Sequence, residues 1–358
     1  MIVLIFIGMF ICVATFVVSS VPNVSALGFS IAAATIPAAV IAWIIVRLDR
    51  YEPEPKKALI FAFLWGAVGA ILFSLLGSLI LSLVASDVSG PVIIAPIVEE
   101  SFKGIALIVL TYFYRRELDN TLDGLIYGAL IGLGFAFTEN ILYFGQAYLS
   151  DGLLGLGALF IARAVFGGFG HAIYTGIFGA SIGWARGQYF KGYLRFIVPL
   201  LGWALAVALH ATWNAGATGV WHLVEGNDNF FLGIASLALV VIVPGLILLY
   251  TVARIAHRRE LGILREQLQS EVVAGTLTAT EYAAITDDHL RKERLREAAH
   301  TGGRPAKKQQ QRFFDTAAEL AYRKHHIERG EALTPGQAAP EPQFRNELAA
   351  LRAGLPQG

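Results

Sequence analysis

No Lys, Arg, Asp or Glu occurs before Arg47, and the apolar stretches that follow are each about as long as a bilayer is thick. A helix crossing the hydrocarbon core needs about 20 consecutive, mostly apolar residues. Lipid offers no partner for backbone N–H and C=O groups, so such stretches must fold as helices that satisfy themselves. Eight runs divide the first 253 residues: Ile2 to Ser19, Ala26 to Val46, Ala58 to Val84, Val92 to Tyr114, Leu122 to Leu149, Leu156 to Trp184, Phe196 to Ala217 and Phe230 to Ala253. The expectation is an all-α, polytopic membrane helix bundle with about eight transmembrane helices. Composition agrees: 55% of the chain is hydrophobic and 15% charged, whereas soluble domains carry roughly a quarter charged residues.

Loop charge gives the same count by an independent route, because cytoplasmic loops carry the excess of Lys and Arg. Arg47, Arg50, Lys56 and Lys57 follow the second run, Arg115 and Arg116 the fourth, Arg186, Lys191 and Arg195 the sixth, and Arg254, Arg258 and Arg259 the eighth. The intervening connections hold Asp87, Asp151, Glu225 and Asp228 and no basic residue. The alternation predicts a multi-pass protein of the cell membrane with both termini in the cytoplasm. An alternative reads Val24-Ser25-Ala26 as a signal-peptidase site, leaving seven helices with unchanged loop sidedness; the missing positive charge at Met1 to Leu4 argues against it.

Residues 254–358 form a second region, a charged cytoplasmic tail. Lys and Arg number 11 in residues 1–253 and 17 in residues 254–358. Its alternation of charge with Ala and Leu reads as helices with solvated faces, broken at Gly302-Gly303 and Thr334-Pro335-Gly336. The last stretch, rich in Ala, Pro, Gln and Glu, is expected to be disordered. The single cysteine, Cys12, excludes disulfide frameworks and cysteine zinc sites, and a net charge of +1 gives no case for nucleic-acid binding.

Charged side chains inside a membrane span cost at least about 2.5–3.5 kcal/mol each at the helix centre, so each one asks for a reason. The fourth run holds Glu99, Glu100 and Lys103, the fifth Glu139 and Asn140, the sixth Arg163 and His171, and the seventh His210 and Asn214. Glu99 and Lys103 share a helix face, as do His210 and Asn214. Each alone has a structural reading: an ion pair locking two helices, a His bonding helix to helix, an Arg snorkelling to the interface. Together, two or three carboxylates and two imidazoles on consecutive helices make an inventory for proton transfer or metal ligation.

These residues also carry a resemblance. Asp49-Arg-Tyr-Glu-Pro-Glu-Pro55, Phe63-Leu-Trp-Gly-Ala67, Glu99-Glu-Ser-Phe-Lys103, Asp123-Gly-Leu-Ile-Tyr-Gly128, Gly132-Leu-Gly-Phe-Ala-Phe-Thr-Glu-Asn140, Gly170-His171 and His210-Ala-Thr-Trp-Asn214 occur in that order. The sequence resembles the PrsW family of intramembrane proteases, distantly related to the CAAX-processing and bacteriocin-processing membrane endopeptidases. The resemblance covers roughly residues 45 to 215 and leaves the tail outside. It implies a multi-pass endopeptidase acting on a membrane-anchored protein or peptide, with Glu99, Glu100, Lys103, Glu139, His171, His210, Asn140 and Asn214 as site residues.

Peptide hydrolysis needs a base for water, help for the carbonyl oxygen and an acid for the leaving amine. No Ser-His-Asp spacing or Asp pair lies in the runs, so water is the expected nucleophile. Glu99 or Glu100 is the expected base, with Lys103 beside it, His171 and His210 as oxyanion donors, and Asn214 assisting. The favoured mechanism uses no cofactor. The competing set is a divalent metal such as zinc held by Glu99, Glu139, His171 and His210. Outside hydrolysis, a proton-coupled transporter would use the same Glu and His residues, though no related half-repeat is visible. A third reading is a membrane scaffold whose tail recruits a cytoplasmic partner.

Overall fold

The structure, a computed structural model, describes residues 2–48, 54–81, 90–113, 118, 120–187, 192–224, 229–328 and 340–355. Every regular element among these is helical, and the chain is an all-α polytopic membrane bundle. Packing divides it into two compact units, the first ending at Arg254 and the second comprising Ile255–Gly358. Of the loop charges used above, Arg50, Asp87, Arg115, Arg116, Lys191, Glu225 and Asp228 lie outside the described residues, as do positions 49–53 of the first motif.

The first unit begins with α1 (Ile2–Ser20) and α2 (Val24–Val46). Asn23 caps α2 by accepting the Ala26 N–H at 2.9 Å, so the alternative cleavage residues Val24-Ser25-Ala26 form its first turn. Helix α3 (Lys56–Leu81) contains a π-helical segment, Trp65–Ala70, and α4 (Ala95–Phe113) follows a π-helical segment at Gly90–Ile94. Helix α5 (Thr121–Phe160) starts from a capping box between Asn120 and Asp123 and bends at Asp151 and Gly152. Gly152 has φ +61, a left-handed conformation that costs glycine nothing. Helices α6 (Gly170–Gly187) and α7 (Leu194–Val224) complete the site-bearing part, and α8 (Phe230–Val273) is the last span.

The sixth run, expected as one helix from Leu156 to Trp184, is interrupted. After the bend at Gly152 the chain turns back along α5, passes through a π-helical segment at Ile161–Phe166, breaks at residues 167–169 and restarts as α6. Gly167 and Gly168 lie in the break and Gly170 follows it, and glycine resists the helix more than any residue but proline. Irregular backbone at such a depth is tolerated where it is buried in protein or lines a cavity. His171 is therefore the second residue of a helix, where the continuous reading placed it within the length of one.

By length and composition, five described stretches can cross a membrane: Val24–Val46, Lys56–Leu81, Thr121–Gly187, Leu194–His222 and Phe230–Val273. The difference from eight has three sources. The apolar part of α1, Leu4–Ser20, is shorter; α4 carries Glu99, Glu100 and Lys103; and the fifth and sixth runs count as one stretch. The outward faces match lipid, with Leu79, Leu154 and Val240 among the exposed apolar residues.

Close backbone approach joins α5 to α6. A Cβ at Gly124 would lie 2.1 Å from the Gly179 carbonyl oxygen, at Gly128 2.3 Å from that of Thr175, and at Gly132 2.1 Å from that of His171. Small residues at four-residue spacing let membrane helices pack this tightly. Gly132 thereby fixes the backbone of His171 against α5, so the seam sets the position of a site residue.

The second unit holds α9 (Ala279–Thr286), α10 (Asp288–Glu328) and α11 (Glu341–Ala353). Its core includes Leu264, Leu268, Ile285, Phe313, Phe314, Leu320 and Leu348. Gly303, with φ +66, interrupts α10 as the sequence expected; the second expected break, at Thr334-Pro335-Gly336, is outside the described residues. The final stretch differs from expectation: α11 is a helix whose Leu348 is fully buried in the core.

Candidate functional site

The polar residues of four helices converge. On α4, the i, i+3 and i, i+4 spacings aim Glu100 and Glu99 at Lys103, whose Nζ lies 2.8 Å from Glu100 Oε1 and 3.4 Å from Glu99 Oε2. Lys103 and Glu100 are fully buried, whereas the Glu99 side chain keeps 13% of its exposure. The Lys103 Nζ also sits 2.9 Å from His171 Nδ1 on α6 and 3.8 Å from the centre of the Phe135 ring.

Glu100 accepts from three side chains, from Lys103, from Thr175 Oγ1 at 2.8 Å and from His210 Nδ1 at 3.1 Å. The other His210 nitrogen, Nε2, faces Glu99 Oε2 at 3.8 Å. Glu139 on α5 accepts from Arg163 at 2.5 Å and from His171 Nε2 at 3.0 Å. Arg163 Nε donates to Asn140 Oδ1 at 2.8 Å, so this arginine belongs to the site and does not snorkel. Asn214 donates to the Pro91 carbonyl at 3.0 Å, tying α7 to the π-helical segment ahead of α4.

Hydrogen-bond capacity constrains where the imidazoles carry protons. An ammonium only donates, so His171 Nδ1 accepts from Lys103 and Nε2 carries the proton toward Glu139. Glu100, as a carboxylate, only accepts, so His210 Nδ1 carries a proton toward it, and Nε2 faces Glu99. The two rings meet edge to face at 4.8 Å.

A cavity of about 370 Å³ opens onto the cluster, lined among others by Glu99, Glu139, Arg163, His171, Tyr174 and Asn214. Glu100 and Lys103 stand behind it. A larger apolar groove of about 680 Å³, bordered by Ile108, Phe178 and Trp203, contains none of the clustered carboxylates or imidazoles. Among the described residues, Glu99, His171 and His210 form a group able to hold a metal ion, each offering a ligand atom within 4.8 Å of the others. Glu139, included in the sequence-derived metal set, is not in that group.

All eight residues singled out from the sequence thus lie in or beside one cluster. Thr175, Tyr174 and Trp213, which also line or support it, were not singled out. Thr175 and Tyr174 follow His171 by four and three residues, so helical spacing from that histidine was the available signal. The glycines around 167–170 were the signal for the break.

A family model described as "PrsW family intramembrane metalloprotease" matches residues 54–249, more than half of the chain. The sequence is 33% identical over 140 residues to Protease PrsW of Geobacillus kaustophilus, covering 38% of this chain and 58% of that protein. It is 29% identical over 161 residues to Protease PrsW of Oceanobacillus iheyensis, covering 44% and 60%, and 27% identical over 180 residues to Protease PrsW of Bacillus subtilis, covering 46% and 72%. The chain thus spans less than two thirds of the first two relatives. No solved structure matches it.

Proposed function

The chain belongs to the PrsW family of intramembrane metalloproteases, and from that premise we propose that it is a membrane-embedded endopeptidase that hydrolyses a peptide bond of a membrane-anchored protein or peptide. The observation that carries this reading is the cavity into which Glu99, Glu139 and His171 all face: a site open to water and substrate, and lined by a base within a bundle otherwise sheathed in apolar side chains.

Glu99 is the base. Its contacts, at 3.4 Å to Lys103 and 3.8 Å to His210, are longer than those of Glu100, and its carboxylate lines the cavity, where it accepts a proton from a water molecule. The water oxygen adds to the scissile carbonyl carbon, the carbonyl π electrons move to oxygen, and Glu99 returns the proton to the nitrogen as the C–N bond breaks. Glu100 acts behind the cavity, its three hydrogen bonds fixing Lys103, Thr175 and His210. Lys103 offsets the charge of both carboxylates. His210, whose Nε2 lies opposite Glu99, orients the water. Arg163 holds Glu139, and Glu139 holds His171.

Glu99, His171 and His210 are also the residues that would hold a divalent metal such as zinc. Their donor types and spacing fit one. A metal bound there would supply polarisation of the carbonyl and a more acidic water. The glutamate route is our preferred reading because His171 has no free lone pair while Nδ1 accepts from Lys103 and Nε2 carries a proton; binding through His171 would require that contact to open.

The test is purified full-length protein cleaving single-span peptides in vesicles, before and after exhaustive chelation, with zinc measured by elemental analysis. In the glutamate route chelation leaves the rate intact, zinc is substoichiometric, and Glu99→Gln lowers the rate by at least about 100-fold, the usual scale for a lost base. Near one zinc per chain, removed by chelation together with activity, would replace the glutamate route with the metal one. Cleavage by Glu99→Gln at the unaltered rate would remove the peptidase assignment from this cluster. We further place both termini on the cytoplasmic side of the cell membrane: a reporter fused after Arg258 should read inside, and one after Asp151 outside.

A further inference from the structure

Tyr174 is a buried phenol that the scheme above does not use. The residue is 1% exposed, and its hydroxyl is buried with no hydrogen-bond partner among the described residues. Buried hydroxyls without partners are uncommon in folded proteins and cost free energy, so this one asks for a missing partner. Its position suggests which. Tyr174 lines the same cavity as Glu99 and His171, and its ring stacks on that of His210 at 5.1 Å with 19° between planes. The hydroxyl comes so close to Gly170, the first residue of α6, that a Cβ there would lie 3.0 Å from it.

The hydrogen bonds of the neighbouring imidazoles narrow the choice of donor. Both His171 nitrogens are occupied, by Lys103 and Glu139, and His210 Nδ1 faces Glu100. His171 therefore has no further proton to give a developing oxyanion. A phenol has one. The start of α6 adds to this, because the first turn of a helix presents backbone N–H groups and positive partial charge, and Gly167, Gly168 and Gly170 border the cavity.

We propose that Tyr174 is a catalytic residue whose O–H donates a hydrogen bond to the scissile carbonyl oxygen, strengthening it as that oxygen gains negative charge; the inference rests on the peptidase reading. The phenol keeps its proton throughout. The substrate carbonyl supplies the partner that no described residue provides.

The experiment compares wild type, Tyr174→Phe and Glu99→Gln as full-length protein in vesicles containing a pool of single-span peptides, with cleavage products followed by mass spectrometry and unfolding followed by thermal melting. Tyr174→Phe keeps the ring that stacks on His210 and removes the hydroxyl alone. Loss of an oxyanion donor should lower kcat by about 100- to 1,000-fold and leave KM nearly unchanged, as expected for an interaction made chiefly in the transition state. The melting temperature should hold or rise, because no resting hydrogen bond is lost. Full activity of Tyr174→Phe beside an inactive Glu99→Gln overturns this inference alone. A lower melting temperature for Tyr174→Phe also overturns it, since the hydroxyl would then serve the fold. Cleavage by none of the proteins, or by all three equally, overturns the peptidase reading and this inference with it.

Discussion

In the first unit Glu100 and Lys103 are fully buried while Leu79, Leu154 and Val240 face outward; in the second, Phe313 and Leu348 are buried while Arg294 and Glu297 are nearly half exposed. The same residue types occupy opposite places because the surrounding medium differs. Where apolar side chains meet lipid, burying more of them gains little, and polar side chains gather inward where they satisfy one another. Where water surrounds the unit, apolar burial drives packing and charges stay outside. A charge thus carries different information in each unit: an inward charge in the membrane unit marks a site, whereas charges of the C-terminal unit lie at its surface, as Arg294 and Glu297 do, or are buried in ion pairs, as Glu271 is.

The largest effect should come from breaking the inward cluster. Lys103→Met preserves length and volume but leaves Glu99 and Glu100 without their shared cation. Removing one partner of a buried pair typically costs about 3–5 kcal/mol, so the variant should unfold at markedly lower denaturant concentration or fail to accumulate. Unaltered stability would mean that the Lys103 ammonium is not needed to neutralise the cluster, and the contrast between the units would lose its sharpest case. The counterpart in the C-terminal unit is Glu271, which accepts from Arg345 at 2.8 and 2.9 Å and from Lys324 at 3.1 Å. Its partners keep access to water, with Arg345 34% exposed. Glu271→Ala should cost about 1.5–3 kcal/mol, the range for hydrogen bonds to charged groups, read as faster amide exchange in α10 and α11. A loss equal to that of Lys103→Met would show that burial depth does not separate the two.

This contrast also explains how legible the protein was. Glu99, Glu139, His171 and His210 stood out because each is conspicuous in an apolar run, and the four-residue spacings on α4 and α7 were enough to group them. The interruption at residues 167–169 was not read, because Gly, Phe and their neighbours keep the run apolar while the backbone changes course. Tyr174 and Thr175 passed unnoticed for a related reason: an uncharged polar residue is ordinary in a membrane helix until its partners are known. Arg163 invited a snorkelling reading because its distance from the run's end was visible and Glu139, 24 residues earlier, was not visibly near it. In the C-terminal unit the dense charge drew the eye from Phe313, Ala317, Leu320 and Ala321, which recur at helical spacing and form the core that α11 covers.

The smallest effect belongs to a charge that water reaches freely. Asp287 precedes α10 and its Oδ1 accepts the backbone N–H groups of His289 and Leu290 at 2.8 and 3.0 Å. The hydrogen bonds from Leu290 and then His289 hold its carboxyl below the usual aspartate range. A depressed carboxyl pKa means that the folded state prefers the ionised form. Its stabilising contribution is therefore fully present above the unfolded pKa, about 3.9, and is lost as pH falls through the lower folded value. Amide protection in the first turn of α10 should accordingly weaken as the solution is acidified below about pH 4, while the core around Phe313 remains protected. Asp287→Asn keeps an oxygen acceptor at the cap but has no proton to take up, so its protection in that turn should lose this pH dependence. Equal pH dependence in both proteins would assign the acid response to another group and remove Asp287 as the exposed, freely titrating counterpart of the buried carboxylates.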